Sequence, residues 1–159
     1  MQVVLPDVET RASFEVCGDE TNGERPLSDE EFFDFCMKNP DLRIERDAGG
    51  EITIMPPAGF ETGYRNNDLS RQLGNWAISD GRGVALDSST EYLLASGAAR
   101  SPDASWILKS RLAPLTKQQK RRFVHLCPDF VVELRSPSYL PALKAKMEEW
   151  IENGAAEPE

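Results

Sequence analysis

Leu126-Cys127-Pro128-Asp129-Phe130-Val131-Val132-Glu133-Leu134-Arg135 is the stretch whose reading decides the fold. Proline has a fixed φ and no N–H, so Pro128 suits the entry to a strand. Side chains then alternate, so Asp129, Val131, Glu133 and Arg135 share one face while Val132 and Leu134 share the other. An ionised group on an otherwise apolar strand is costly unless it is paired or metal-bound. A second Pro-Asp pair, Pro102-Asp103, opens another strand reading from Asp103 to Leu108. Acids on neighbouring strands that point the same way make a hard-oxygen site suited to Mg²⁺. Held close without an ion they repel, which lifts at least one pKa.

Outward from these strands the chain alternates helix and strand signals. Ser28 followed by Glu31 is a capping box that starts a helix, buried through Phe32, Phe33, Phe35 and Cys36. Leu42–Glu45 and Glu51–Met55 flank the turn Asp47-Ala48-Gly49-Gly50 and predict a hairpin. Tyr64, Leu69, Leu73, Trp76 and Ala77 give a helix over 62–79 its apolar stripe. Short strands are expected at Val84–Ser88 and Glu91–Leu94, and a basic helix at Thr116–Phe123. Leu140, Leu143, Met147, Trp150 and Ile151 mark one face of a last helix. Together these predict an α/β fold with a mixed central sheet flanked by helices. Residues 1–26 read as a flexible arm and 27–159 as a single domain.

At 159 residues the chain fits one domain. No apolar run approaches the ~20 residues of a membrane span, and Met1–Asp7 lacks the basic start of a secretory signal. Cys17, Cys36 and Cys127 are odd in number and have no CxxC spacing, which excludes a disulfide framework or a zinc site. Cys36 and Cys127 read as small buried hydrophobes, and the chain as cytoplasmic. The net charge of −9 argues mildly against a polyanionic partner. Its distribution matters more. Residues 1–51 hold 14 acids and 5 bases, whereas 100–125 hold seven bases and one acid, Asp103. Lys117, Lys120 and Arg121 are the candidate phosphate contacts; a solvated face is the plainer reading of such a run.

The strings Arg100–Trp106, Leu126–Ser138 and Lys144–Gly154, taken in order, resemble the bacterial "putative restriction endonuclease" family of the PD-(D/E)XK nuclease superfamily. Leu27–Phe32, Ile52–Pro57 and the helix beginning at Glu61 are similar to its earlier elements, so the likeness spans 27–154. The resemblance implies a Mg²⁺-dependent endonuclease, with Mn²⁺ as a substitute metal and nucleic acid, DNA first, as partner. It makes Asp103 and Glu133 the catalytic acids and metal ligands. The superfamily lysine would stand two residues after the second acid, where this chain has Arg135, which cannot act as a base at neutral pH. The functional lysine is then carried by the next helix: Lys146, with Lys144 as the fallback. Glu61 matches an acid that would complete the metal shell, although an acid at a helix start is also a plain dipole partner.

Other polar residues read as structural. Asp129 suits a strand-start hydrogen bond, His125 stands alone, and Ser136 and Ser138 suit helix caps. The family continues past the last helix with further strands, whereas this sequence stops at Glu159. The resemblance therefore implies an exposed sheet edge and a last helix that frays from Trp150 onward. Two readings stay open: a metal-dependent endonuclease, self-associating as a homodimer, or an inactive truncated remnant that binds nucleic acid or itself.

Overall fold

A computed structural model describes residues 25–134 and 140–156. The first helix, α1 (Asp29–Lys38), begins where the capping box places it. The Ser28 hydroxyl accepts the Glu31 amide at 3.3 Å and Glu31 Oε2 accepts the Ser28 amide at 2.8 Å. Strands β1 (Arg43–Arg46) and β2 (Ile52–Met55) form the expected antiparallel hairpin. Its turn needs Gly50, whose φ is +90° and whose missing Cβ would fall 2.4 Å from Pro26. The long helix α2 (Phe60–Asp80) ends at Gly81 in the left-handed region, φ +71°. Its predicted stripe is only partly buried: Ala77 is inside, Leu69 and Leu73 are half-buried, and Tyr64 and Trp76 are exposed.

The remaining elements are β3 (Gly83–Asp87), β4 (Tyr92–Leu93), β5 (Ala99–Arg100), β6 (Ala104–Leu108), α3 (Lys109–Leu112), β7 (Val124–His125), β8 (Phe130–Val132) and α4 (Leu140–Glu152). They form two sheets among the described residues instead of one. The five-stranded sheet runs β2-β1-β5-β4-β7 and is mixed, because β4 pairs parallel with β7. The three-stranded sheet runs β3-β6-β8 and is antiparallel throughout. One core gathers Tyr92, Ile107, Val131 and a fully buried Trp150 between the sheets and α4. The other gathers Phe32, Ile44, Leu93 and Ala99 under α1.

Two expectations are corrected. The basic helix at Thr116–Phe123 is only a 3₁₀ turn, Gln119–Arg121, and after Arg122 and Phe123 the chain enters β7. The run carries no apolar residue to bury before Phe123, and so short a helix without packing is not stable. The end of α4 is secured where fraying was expected. Gly154 (φ +109°) donates to Ile151 O at 2.9 Å and Ala155 donates to Trp150 O at 3.0 Å, the paired bonds of a Schellman cap. Ala155 is buried, and the Ala156 amide donates to Asp129 O at 3.0 Å.

Candidate metal centre at the strand ends

β6 and β8 run antiparallel with Ala104 opposite Val132 and Trp106 opposite Phe130. One further step along this register sets Asp103 across from Glu133. Directly opposed residues share a face, with Cβ atoms about 5 Å apart. The acids thus stand at strand ends, just before β6 and just after β8. Pro102 and Pro128 are fully buried and fix the chain's entry to both strands. Asp103 Oδ2 accepts the Leu134 amide at 2.7 Å, while Oδ1 lies 3.4 Å from Asn66 Nδ2 and 3.5 Å from Arg43 Nη1.

Glu133 is the more enclosed acid, with its side chain 7% exposed. Its Oε1 accepts Trp150 Nε1 at 3.0 Å and lies 2.9 Å from Lys146 Nζ. Burial raises its pKa; Lys146 and the Trp150 hydrogen bond pull it back, and the nearby Asp103 charge adds to the rise. Lys146 also meets Glu45 Oε1 at 2.8 Å and Ser101 O at 3.1 Å. Burial would lower its pKa, but Glu45 and Glu133 together hold it above the ordinary lysine value.

The helix period explains why Lys146 reaches the acids and Lys144 does not. Trp150 lies four residues after Lys146, on the same flank of α4, and both bond to Glu133. Lys144 is exposed. The structure does not bring Glu61 to the pair: it is exposed and bonds Arg65 at 2.5 Å. The α2 side chain that reaches Asp103 is Asn66. Asp129 is engaged elsewhere, accepting the Leu108 amide at 2.9 Å and pairing with Arg111 at 2.8 Å. Cys36 and Cys127 have thiols pushed up by burial to about 12 and about 11, in line with a packing role. His125 is exposed, 3.6 Å from Asp29. Cys17, Arg135, Ser136 and Ser138 lie outside the described residues.

Sequence reasoning missed a layer of polar residues beneath the pair. Glu45 on β1 is 4% exposed, accepts the Ser101 amide at 3.1 Å and pairs with Arg100 at 3.3 Å. Ser101 Oγ in turn donates to Glu91, a buried acid whose pKa burial pushes up to about 7. The one available signal was Glu45 itself, an acid inside a strand reading. Lys120, Arg121 and Arg122 rim a cavity of about 420 Å³ walled by Phe33, Leu86 and Phe123, and Arg122 lies over the Phe33 ring at 4.3 Å. No hydrogen bond or ion pair among the described residues ties this basic turn, or the neighbouring Lys117, to Asp103 or Glu133.

Among the described residues no cluster of three or more His, Cys, Asp or Glu is set to hold a metal ion. The pair nonetheless offers what a hard divalent cation takes. Both donors are carboxylates, one is buried and upshifted, and Glu133 Oε2 has no hydrogen-bond partner among the described residues. Backbone carbonyls and water would complete the coordination.

A mixed α/β domain with two acids at the facing ends of adjacent strands, and a lysine delivered by the following helix, defines a restriction-endonuclease-like protein. Residues 29–157 match the Uma2 family, described as "Putative restriction endonuclease", and the chain belongs to that family. Membership sets it among nucleases, whose substrate class is nucleic acid. Its fold is similar to the crystal structure of a protein from Anabaena variabilis ATCC 29413 described as a putative nuclease belonging to DUF820. The TM-score is 0.62 at 16% identity, covering 82% of this chain and 70% of the other. That likeness concerns the fold. No curated protein matches the sequence.

Proposed function

We propose that this chain hydrolyses phosphodiester bonds of nucleic acid, DNA first, with Mg²⁺ or Mn²⁺ held by Asp103 and Glu133. The observation that carries the reading is the facing pair of carboxylates with Lys146 2.9 Å from Glu133. A divalent cation there supplies Lewis-acid polarisation of the scissile phosphate and a water of lowered pKa. The rest of the work falls to the chain. The Leu134 amide fixes one Asp103 oxygen and leaves the other with only the longer contacts to Asn66 and Arg43; Trp150 fixes Glu133. Lys146 remains protonated and balances charge that develops on the phosphoryl oxygens. Glu61 would add a metal ligand only if α2 turned it away from Arg65. Lys117, Lys120 and Arg121 would steer the polyanion by charge alone.

One centre cuts one strand, so a second copy of the chain would supply the second cut; sedimentation velocity with and without duplex tests for the homodimer. No helix among the described residues is long and apolar enough to cross a membrane. The free thiols of Cys36 and Cys127 suit the reducing cytoplasm. A second reading, binding without cutting, is favoured by the neutralisation already present: Lys146 on Glu133 and Arg43 on Asp103. Calorimetric titration of Mg²⁺ and Mn²⁺ into wild type and Asp103→Ala, beside a plasmid-nicking assay, separates the two. Ion binding and nicking that both vanish in Asp103→Ala support the nuclease. Ion binding indifferent to the substitution overturns the site.

A further inference from the structure

The ammonium of Lys146 has three donors and three acceptors: Glu45 Oε1 at 2.8 Å, Glu133 Oε1 at 2.9 Å and Ser101 O at 3.1 Å. Two carboxylates therefore share one lysine. They are not equivalent. Glu133 adjoins Asp103 and faces the ion site. Glu45 comes from the other sheet and is 4% exposed. It is fixed without any help from Glu133, by the Ser101 amide at 3.1 Å and by Arg100 at 3.3 Å. Arg100 is itself anchored by Glu149 at 2.5 Å. Ser101 grips both partners, its amide on Glu45 and its carbonyl on Lys146, and its hydroxyl is held by Glu91 at 2.5 Å.

We infer that Glu45 is a positioning residue that keeps Lys146 at the centre when Glu133 turns to a divalent cation. The inference rests on the metal-dependent reading above. A cation competes with the ammonium for Glu133, because both seek the same carboxylate. A lysine with Glu133 as its sole acid would be left buried and unpaired, which is costly, and would swing to solvent. With Glu45 behind it, Lys146 keeps an acid and a carbonyl and stays within reach of whatever the cation binds. Glu45 touches neither cation nor substrate; it acts through Lys146.

The test follows the Lys146 ammonium by NMR on ¹⁵N-lysine-labelled full-length protein while Mg²⁺ is titrated and its binding is measured by calorimetry. In wild type, exchange of the Lys146 Nζ protons with water should stay slow through saturation. In Glu45→Gln, which keeps an acceptor for Ser101 but removes the charge, exchange should be slow without Mg²⁺ and about tenfold or more faster with it. Glu45→Asp, which keeps the charge, should restore part of the protection. Bound Mg²⁺ with equally slow exchange in Glu45→Gln overturns the inference and leaves the nuclease reading standing. Fast exchange in Mg²⁺-saturated wild type also overturns it, a result that holds even if Glu45→Gln does not fold. Absence of Mg²⁺ binding in wild type overturns both.

Discussion

Glu133, Lys146 and Glu45 form a small charge network at the centre of the molecule, in which one ammonium serves two carboxylates and Arg100 adds a second cation beside Glu45. Removing the ammonium in Lys146→Ala leaves two enclosed carboxylates facing each other. The loss should be about 3–5 kcal/mol at neutral pH by urea denaturation, shrinking as acid protonates them. Glu91 behaves in the opposite sense. Burial and the Glu45 charge lift its pKa from 4.5 to about 7, against the Ser101 hydrogen bond and the Lys146 and Arg43 charges. The fold therefore favours the neutral carboxyl. That contribution is full below about pH 4.5 and is lost as pH climbs through about 7, worth at most about 3 kcal/mol. Glu91→Gln should flatten this dependence, so melting temperatures at pH 5 and pH 8 should converge in the variant and diverge in wild type. That Asp103, Glu133 and Lys146 come together was legible because alternation and family spacing act over a few residues. Glu45 and Glu91 were not, because their meaning lies in contacts such as Glu45 with Lys146, 101 residues apart.

Elements with their own local logic were legible too: the capped α1, the β1–β2 hairpin, the apolar face of α4 and strand β8. The two-residue strands β5 and β7 were not, since a strand that short exists only through its neighbours. The basic run misled because charge density resembles a helix face while offering nothing to bury. One glycine is decisive for its packing. Gly83 pairs with Leu108 at the β3–β6 edge, and a Cβ there would fall 2.1 Å from the Trp106 ring. Trp106 cannot retreat freely, as Trp76 meets it edge-on at 5.4 Å. Gly83→Ala should cost roughly 1–3 kcal/mol by overpacking, read as a lower denaturation midpoint with an unchanged slope.

Across the whole molecule a net charge of −9 coexists with a basic turn set apart from the acid pair. If that turn steers nucleic acid, binding will weaken steeply with salt. Lys120→Ala with Arg121→Ala should then reduce the log–log slope by about 2, near 0.9 per lost phosphate contact. An unchanged slope in a fluorescence-anisotropy titration would assign the turn to solvation alone. The division into two sheets was not legible, because pairing between β1 and β5 or β4 and β7 is set by the global path of the chain.

Asp129 shares its Pro-Asp signature with Asp103 but has every polar atom committed: its amide to Trp106 O, its carbonyl to Ala156 N, and its two carboxylate oxygens to Leu108 and Arg111. Mechanically it is a rivet through four parts of the chain. A pull applied at residue 156 should not peel α4 from its C-terminal end, because the load passes at once into β8 and, through Trp106 and Leu108, into β6. Under an optical trap, α4 and the three-stranded sheet should give way in one rupture. Asp129→Ala keeps both backbone bonds and loses only the carboxylate bonds to Leu108 and Arg111, so the rupture should stay single and move to lower force.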